Sequence, residues 1–162
     1  LSYGANSTFD VRREVGPFMA ATQTKNESAA EVAGIIVDEL QRLAKADVAA
    51  AELVPRKAVL VGAFGRALET TEGLVSRVAG LALHGLPLTD LERFVPAVQG
   101  VSGEAVKKFA EGHLAAGTSV VIVGDARQFL EPLRKRFGAV EVIPIGELDL
   151  ESPELRKRKE AA

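Results

Sequence analysis

Few side chains in this sequence could do chemistry, and their spacing decides which kind. The two histidines, His84 and His113, stand far apart, and neither has another histidine or an acid at a ligand spacing such as i, i+4. They therefore make no metal site: His84 suits the C-terminal cap of a helix, where a partly positive imidazole is favoured, and His113 suits a partly exposed helix end. Gly62-Ala63-Phe64-Gly65-Arg66 has glycines but no following lysine-serine or lysine-threonine pair and no preceding strand, so it is a helix break rather than a phosphate loop. Val123-Gly124-Asp125-Ala126 has the outline of a nucleotide-fold turn with only one glycine, and an N-cap by Asp125 accounts for it. Ser76, Ser102 and Ser119 lie in no nucleophile-elbow context. What remains is Tyr3, the single tyrosine. A phenol on a strand can donate a hydrogen bond to a peptide carbonyl or its oxyanion, and the adjacent Gly4 lets another backbone approach. The residues alone leave a second reading open, in which Tyr3 is an ordinary half-buried strand aromatic.

Composition narrows the field around these residues. At 162 residues the chain is long enough for one domain with a real core, and 47% hydrophobic with 26% charged residues is ordinary for a globular protein. A formal net charge of -2 argues against a general nucleic-acid binder, which normally carries a basic excess. No apolar run is long enough to cross a bilayer as a helix. The absence of cysteine removes disulfides, thiolate metal sites and cysteine nucleophiles from this chain, and fits either a reducing or an oxidising compartment. Leu155-Arg156-Lys157-Arg158-Lys159 is a short basic cluster that reads as a solvated, frayed tail.

The elements that must position Tyr3 come in a clear order. Leu1 to Phe9 reads as a strand with Leu1, Tyr3, Ala5 and Phe9 on one apolar face, and Val15 to Thr24 reads as a second strand, joined by the charged Asp10-to-Glu14 stretch. The opening strand has no polar lead-in, so the domain is expected to be incomplete on its N-terminal side, with that strand covered by further residues or another copy. Asn26 is a good N-cap for a helix to Lys45, with Val32, Ile35, Ile36, Leu40 and Leu43 on its apolar face. A second helical region runs from about Ala49 through Gly62, with Pro55 near its start suiting a first turn and interruptions at Gly62 and Gly65. Glu69-Thr70-Thr71-Glu72 restarts helix, which stops at His84-Gly85 before Pro87. Thr89 caps a short helix through Phe94, and Ser102 caps another with Val106, Phe109, Ala110 and Leu114 inward. Thr118 to Asp125 is a β-branched run typical of a central strand. A helix from Ala126 to Phe137 turns Phe129, Leu130, Leu133 and Phe137 inward, and Val140 to Ile145 is the last strand. Hairpin first and helices clustered in the middle give an α+β fold, an antiparallel or mixed sheet packed against a layer of helices. Residues 1–150 form the domain portion and 151–162 the charged tail.

Five pieces fall in a familiar order: Tyr3-Gly4-Ala5; Gly16-Pro17-Phe18 with Thr24; Glu69-Thr70; Gly85-Leu86-Pro87-Leu88; and Val121-Ile122-Val123-Gly124-Asp125. In that order the chain, up to about Leu150, resembles the insulinase/pitrilysin family of zinc peptidases, and more closely its mitochondrial-processing-peptidase-like bacterial branch. The resemblance implies a processing-peptidase-like α/β sandwich, one of a pair of similar domains around a cavity. In that family one domain carries the zinc motif His-x-x-Glu-His with a later Glu, and its partner supplies an arginine and, a few residues on, a tyrosine that contact substrate near the scissile bond. This chain matches the latter part of the partner type. Tyr3 falls at the tyrosine, the arginine would lie ahead of Leu1, and the zinc motif is absent from these residues.

The resemblance therefore implies no cofactor in this chain, zinc in a homologous partner domain or subunit, a peptide substrate, and no peptide hydrolysis by this polypeptide alone. It also implies a bacterial periplasm or cell envelope, with the cytoplasm as the alternative. The competing function is a catalytically inactive homologue that binds peptides or scaffolds a partner.

Overall fold

The structure is a computed structural model; it describes residues 2–115 and 117–157, and for Ser2 and Tyr3 the backbone alone. The chain is α+β, as its pattern predicts. A two-stranded antiparallel sheet pairs β1 (Ser2–Phe9) with β2 (Phe18–Thr24). Six helices follow among the described residues: α1 (Ala29–Lys45), α2 (Ala50–Leu68), α3 (Thr71–Leu83), α4 (Asp90–Gly100), α5 (Gly103–His113) and α6 (Leu130–Phe137).

The chain divides into two compact units. The first comprises Leu1–Tyr3, Gln23–Gly34 and Val120–Ala162; the second comprises Gly4–Thr22 and Ile35–Ser119.

The core of the first unit is small and apolar. Ala29 and Ala33, one turn apart on α1, pack with Phe129 and Leu133, and Ile122, Ala126, Phe137 and Val140 close around them. Two alanines at i, i+4 leave a shallow face on which a phenyl ring and an isobutyl group can seat. Of the face expected for α1, Val32 is buried and Ile36, Leu40 and Leu43 are half-buried, and Ile35 departs from it. Alanines and Val32 are buried, while Ile35 is 47% exposed, because packing follows the close-approach stripe rather than the largest side chains. Asn26 also differs from expectation. It opens a short 3₁₀ turn ahead of α1, and its Oδ1 accepts the backbone N–H of Asp125 at 3.2 Å instead of capping the helix.

In the second unit the hairpin closes with the Asp10 N–H donating to the Pro17 carbonyl at 2.9 Å. Residues along β2 alternate between half-buried and exposed. On β1, residues 4–9 are exposed, since this strand has a single neighbour. Phe9 still rests its ring 4.9 Å from Phe18 and 6.0 Å from Phe109 of α5. Helix α2 packs against α3 and α4. It runs through Gly62 and Gly65 without a break. Two interior glycines cost about 1 kcal/mol each. Between them Phe64 is 5% exposed and stacks on Phe94 at 4.2 Å, which offsets that cost. Pro55 lies past the first turn and removes one intrahelical bond, leaving the helix intact around it.

Helix ends follow local chemistry closely. Thr70 caps α3 by accepting the Gly73 N–H at 3.1 Å, and Ser102 caps α5 by accepting that of Ala105 at 3.0 Å. At the far end of α3, His84 is the C-cap and Gly85 takes the left-handed conformation at φ 65°. There the Gly85 N–H donates to Ala82 and the Leu86 N–H to Leu81, the paired bonds of a Schellman ending. Helix α4 extends beyond Phe94 to Gly100, and Thr89 makes no side-chain cap. Its last turn gains a donor from Lys57, whose Nζ meets the Gln99 carbonyl at 2.8 Å.

Two expected strands do not form. Thr118 to Asp125 and Val140 to Ile145 contain no strand, and no backbone-to-backbone hydrogen bond joins 119–124 or 140–143 to another described segment. β-branched composition favours an extended chain, but a strand exists only where a neighbour supplies its ladder. The C-terminal segment is more ordered than a frayed tail up to Lys157. Arg156 donates to Glu141 and Glu147 at 2.9 Å each and to the Val142 carbonyl at 3.2 Å, and it bridges Leu148.

Candidate functional site

Tyr3 sits near the start of β1, on a strand as expected, and its side chain lies outside the described residues. Next to it, Gly4 has open space where a Cβ would stand, so no described backbone presses on it; its carbonyl accepts the Thr22 hydroxyl from β2 at 2.5 Å. This hairpin pairing fixes the direction of the strand that carries Tyr3.

The turn after the Val121-Ile122-Val123 run is the most organised polar feature of the first unit. Asp125 accepts two hydrogen bonds from Arg127, through Nε at 2.8 Å and Nη2 at 3.0 Å, and a third from Gln128 Nε2 at 3.0 Å. These bonds, Arg127 foremost and Gln128 next, hold the Asp125 carboxyl well below the usual carboxylate range. The carboxylate is thus anionic and fully engaged, which suits it to ordering the turn and not to taking a proton near neutrality. It precedes a short 3₁₀ turn and makes no side-chain cap, so the expected N-cap is replaced by these contacts. Gly124 is required by close approach: a Cβ there would stand 2.6 Å from Asn26 Oδ1 and 3.2 Å from the Phe129 ring. The local signal for this cluster was present in the spacing of Asp125, Arg127 and Gln128, but its partner Asn26 lies too far back in sequence to be read from it.

The remaining candidates are separated by the fold. His84 ends α3, and His113 is exposed at the end of α5 with its ring 4.7 Å from Phe109. Among the described residues no group of three or more His, Asp or Glu side chains is placed to hold a metal ion. Ser76 lies within α3, Ser102 serves as a cap, and Ser119 is exposed. The Gly62-to-Arg66 stretch is interior to α2, where its backbone N–H groups are spent on the helix. Arg77 of α3 lies over the Phe64 and Phe94 rings at 5.4 and 6.0 Å, a pairing that the sequence pattern did not single out.

No family model matches the chain, and no curated protein matches it. Among solved structures it is similar to the crystal structure of a peptidase M16 inactive domain from Pseudomonas fluorescens, at 28% identity and a TM-score of 0.63. The match covers 70% of this chain. The α+β fold of this chain is similar to that of the matched part of this neighbour. The matched region spans only 27% of the neighbour's chain, so the likeness concerns one part of a larger protein there. The expectation of a peptidase-like domain without catalytic machinery agrees with this neighbour at that level.

Proposed function

We propose that this chain is the non-zinc-binding portion of a zinc metallopeptidase of the processing-peptidase-like bacterial branch. In this reading it forms part of the wall of a peptide-binding chamber and supplies Tyr3 to the substrate. The observation that carries the proposal is the similarity to an M16 inactive domain, together with the absence of His-x-x-Glu-His from these residues. The chemistry is consistent with such a division of labour. Zinc in a homologous partner domain or subunit would supply the activated water. The Tyr3 hydroxyl would donate to the substrate carbonyl, whose oxygen gains charge as the tetrahedral centre forms, and a donor aimed there stabilises the transition state more than the ground state. The β1–β2 pairing would hold the strand, and with it the phenol, in a fixed direction.

The test is Tyr3→Phe in the full-length protein assembled with its zinc-bearing partner. The ring and its packing are kept, and the donor is removed. Turnover on a peptide substrate is expected to fall about a hundredfold. The melting temperature should move little, since one phenolic hydrogen bond contributes about 1 kcal/mol. Undiminished turnover would reduce Tyr3 to a packing residue. An assembly that binds peptides without cleaving them would favour the inactive, peptide-binding or scaffold reading instead.

A further inference from the structure

We draw no further inference here: the strongest candidate, the β-branched run Val120–Val123, whose Ile122 packs on the Phe129 core while the side chains of Val121 and Val123 are exposed, carries nothing, because nothing in the structure shows what covers it.

Discussion

The cluster around Phe129 and the cluster around Phe64 bury one phenyl ring each to about the same depth, by different means. Phe129 lies against two alanines and a leucine. Phe64 stacks on a second ring, and the guanidinium of Arg77, an exposed residue, lies beside both rings. The first cluster is held by shape: the alanines of α1 define a flat seat, and any change of volume leaves a void or a clash. The second is held by shape and by charge. Its outer side is closed by an amphipathic side chain that keeps its head in water. Equal burial of a ring thus says little about what will disturb it.

Substitution can break or sharpen that contrast. Phe129→Ala should have the largest effect, a loss of about 4 kcal/mol in urea unfolding, because the rigid alanine seat cannot collapse into the space. A loss below about 1 kcal/mol would show that the nest is already loose. Phe64→Ala should cost less, about 3 kcal/mol, since Phe94 and the long Arg77 side chain can move into the gap. Equal losses at the two sites would erase the distinction. Arg77→Ala should cost about 1 kcal/mol or less, appropriate to a cation over two rings at an exposed site. Arg77→Lys should recover part of it, and no substitution of the Phe129 nest should share that charge dependence.

The smallest effect concerns the turn beside the first cluster. The folded carboxyl of Asp125 titrates below its unfolded value, so its contribution is present at neutral pH. That contribution is lost only as acid carries the pH below the ordinary carboxylate range and through the folded pKa. Arg127→Gln should bring the Asp125 carboxyl resonance back toward the usual range in an NMR titration. A resonance that titrates normally in the unsubstituted chain would show that the three side-chain bonds do not persist in solution.

What was legible in the sequence was whatever one or two turns of chain decide. The cap at Ser102, the Schellman ending at Gly85, and the inward Phe129 and Leu133 all follow from residues within a few positions of one another. Local signals misled at Thr89, which makes no cap, and at Asp125, whose carboxylate engages Arg127 and Gln128 instead; elsewhere a distant partner decided. Gly62 and Gly65 break no helix because Phe64 is anchored by α4. Asn26 caps nothing because Asp125 takes its side-chain oxygen. The run through Val121 forms no strand because a ladder belongs to a pair of segments, not to one. For the candidate site, position on a strand was readable from alternation, whereas the role proposed for Tyr3 rests only on the order of motifs around it.

The hydrogen bond from the Asp125 backbone to Asn26 has a kinetic consequence. It joins residues 99 apart in sequence, and the first unit is assembled from pieces on either side of Ile35–Ser119. If that whole stretch were still unfolded, closing it as a flexible loop would cost on the order of 4 kcal/mol of chain entropy before any contact of the Phe129 nest compensated. Helices α2 to α5 are made of local contacts and can form first, which shortens the span still to be closed. The nest around Phe129 is therefore expected to consolidate late, and its amides to gain exchange protection after those of α2 in a refolding pulse.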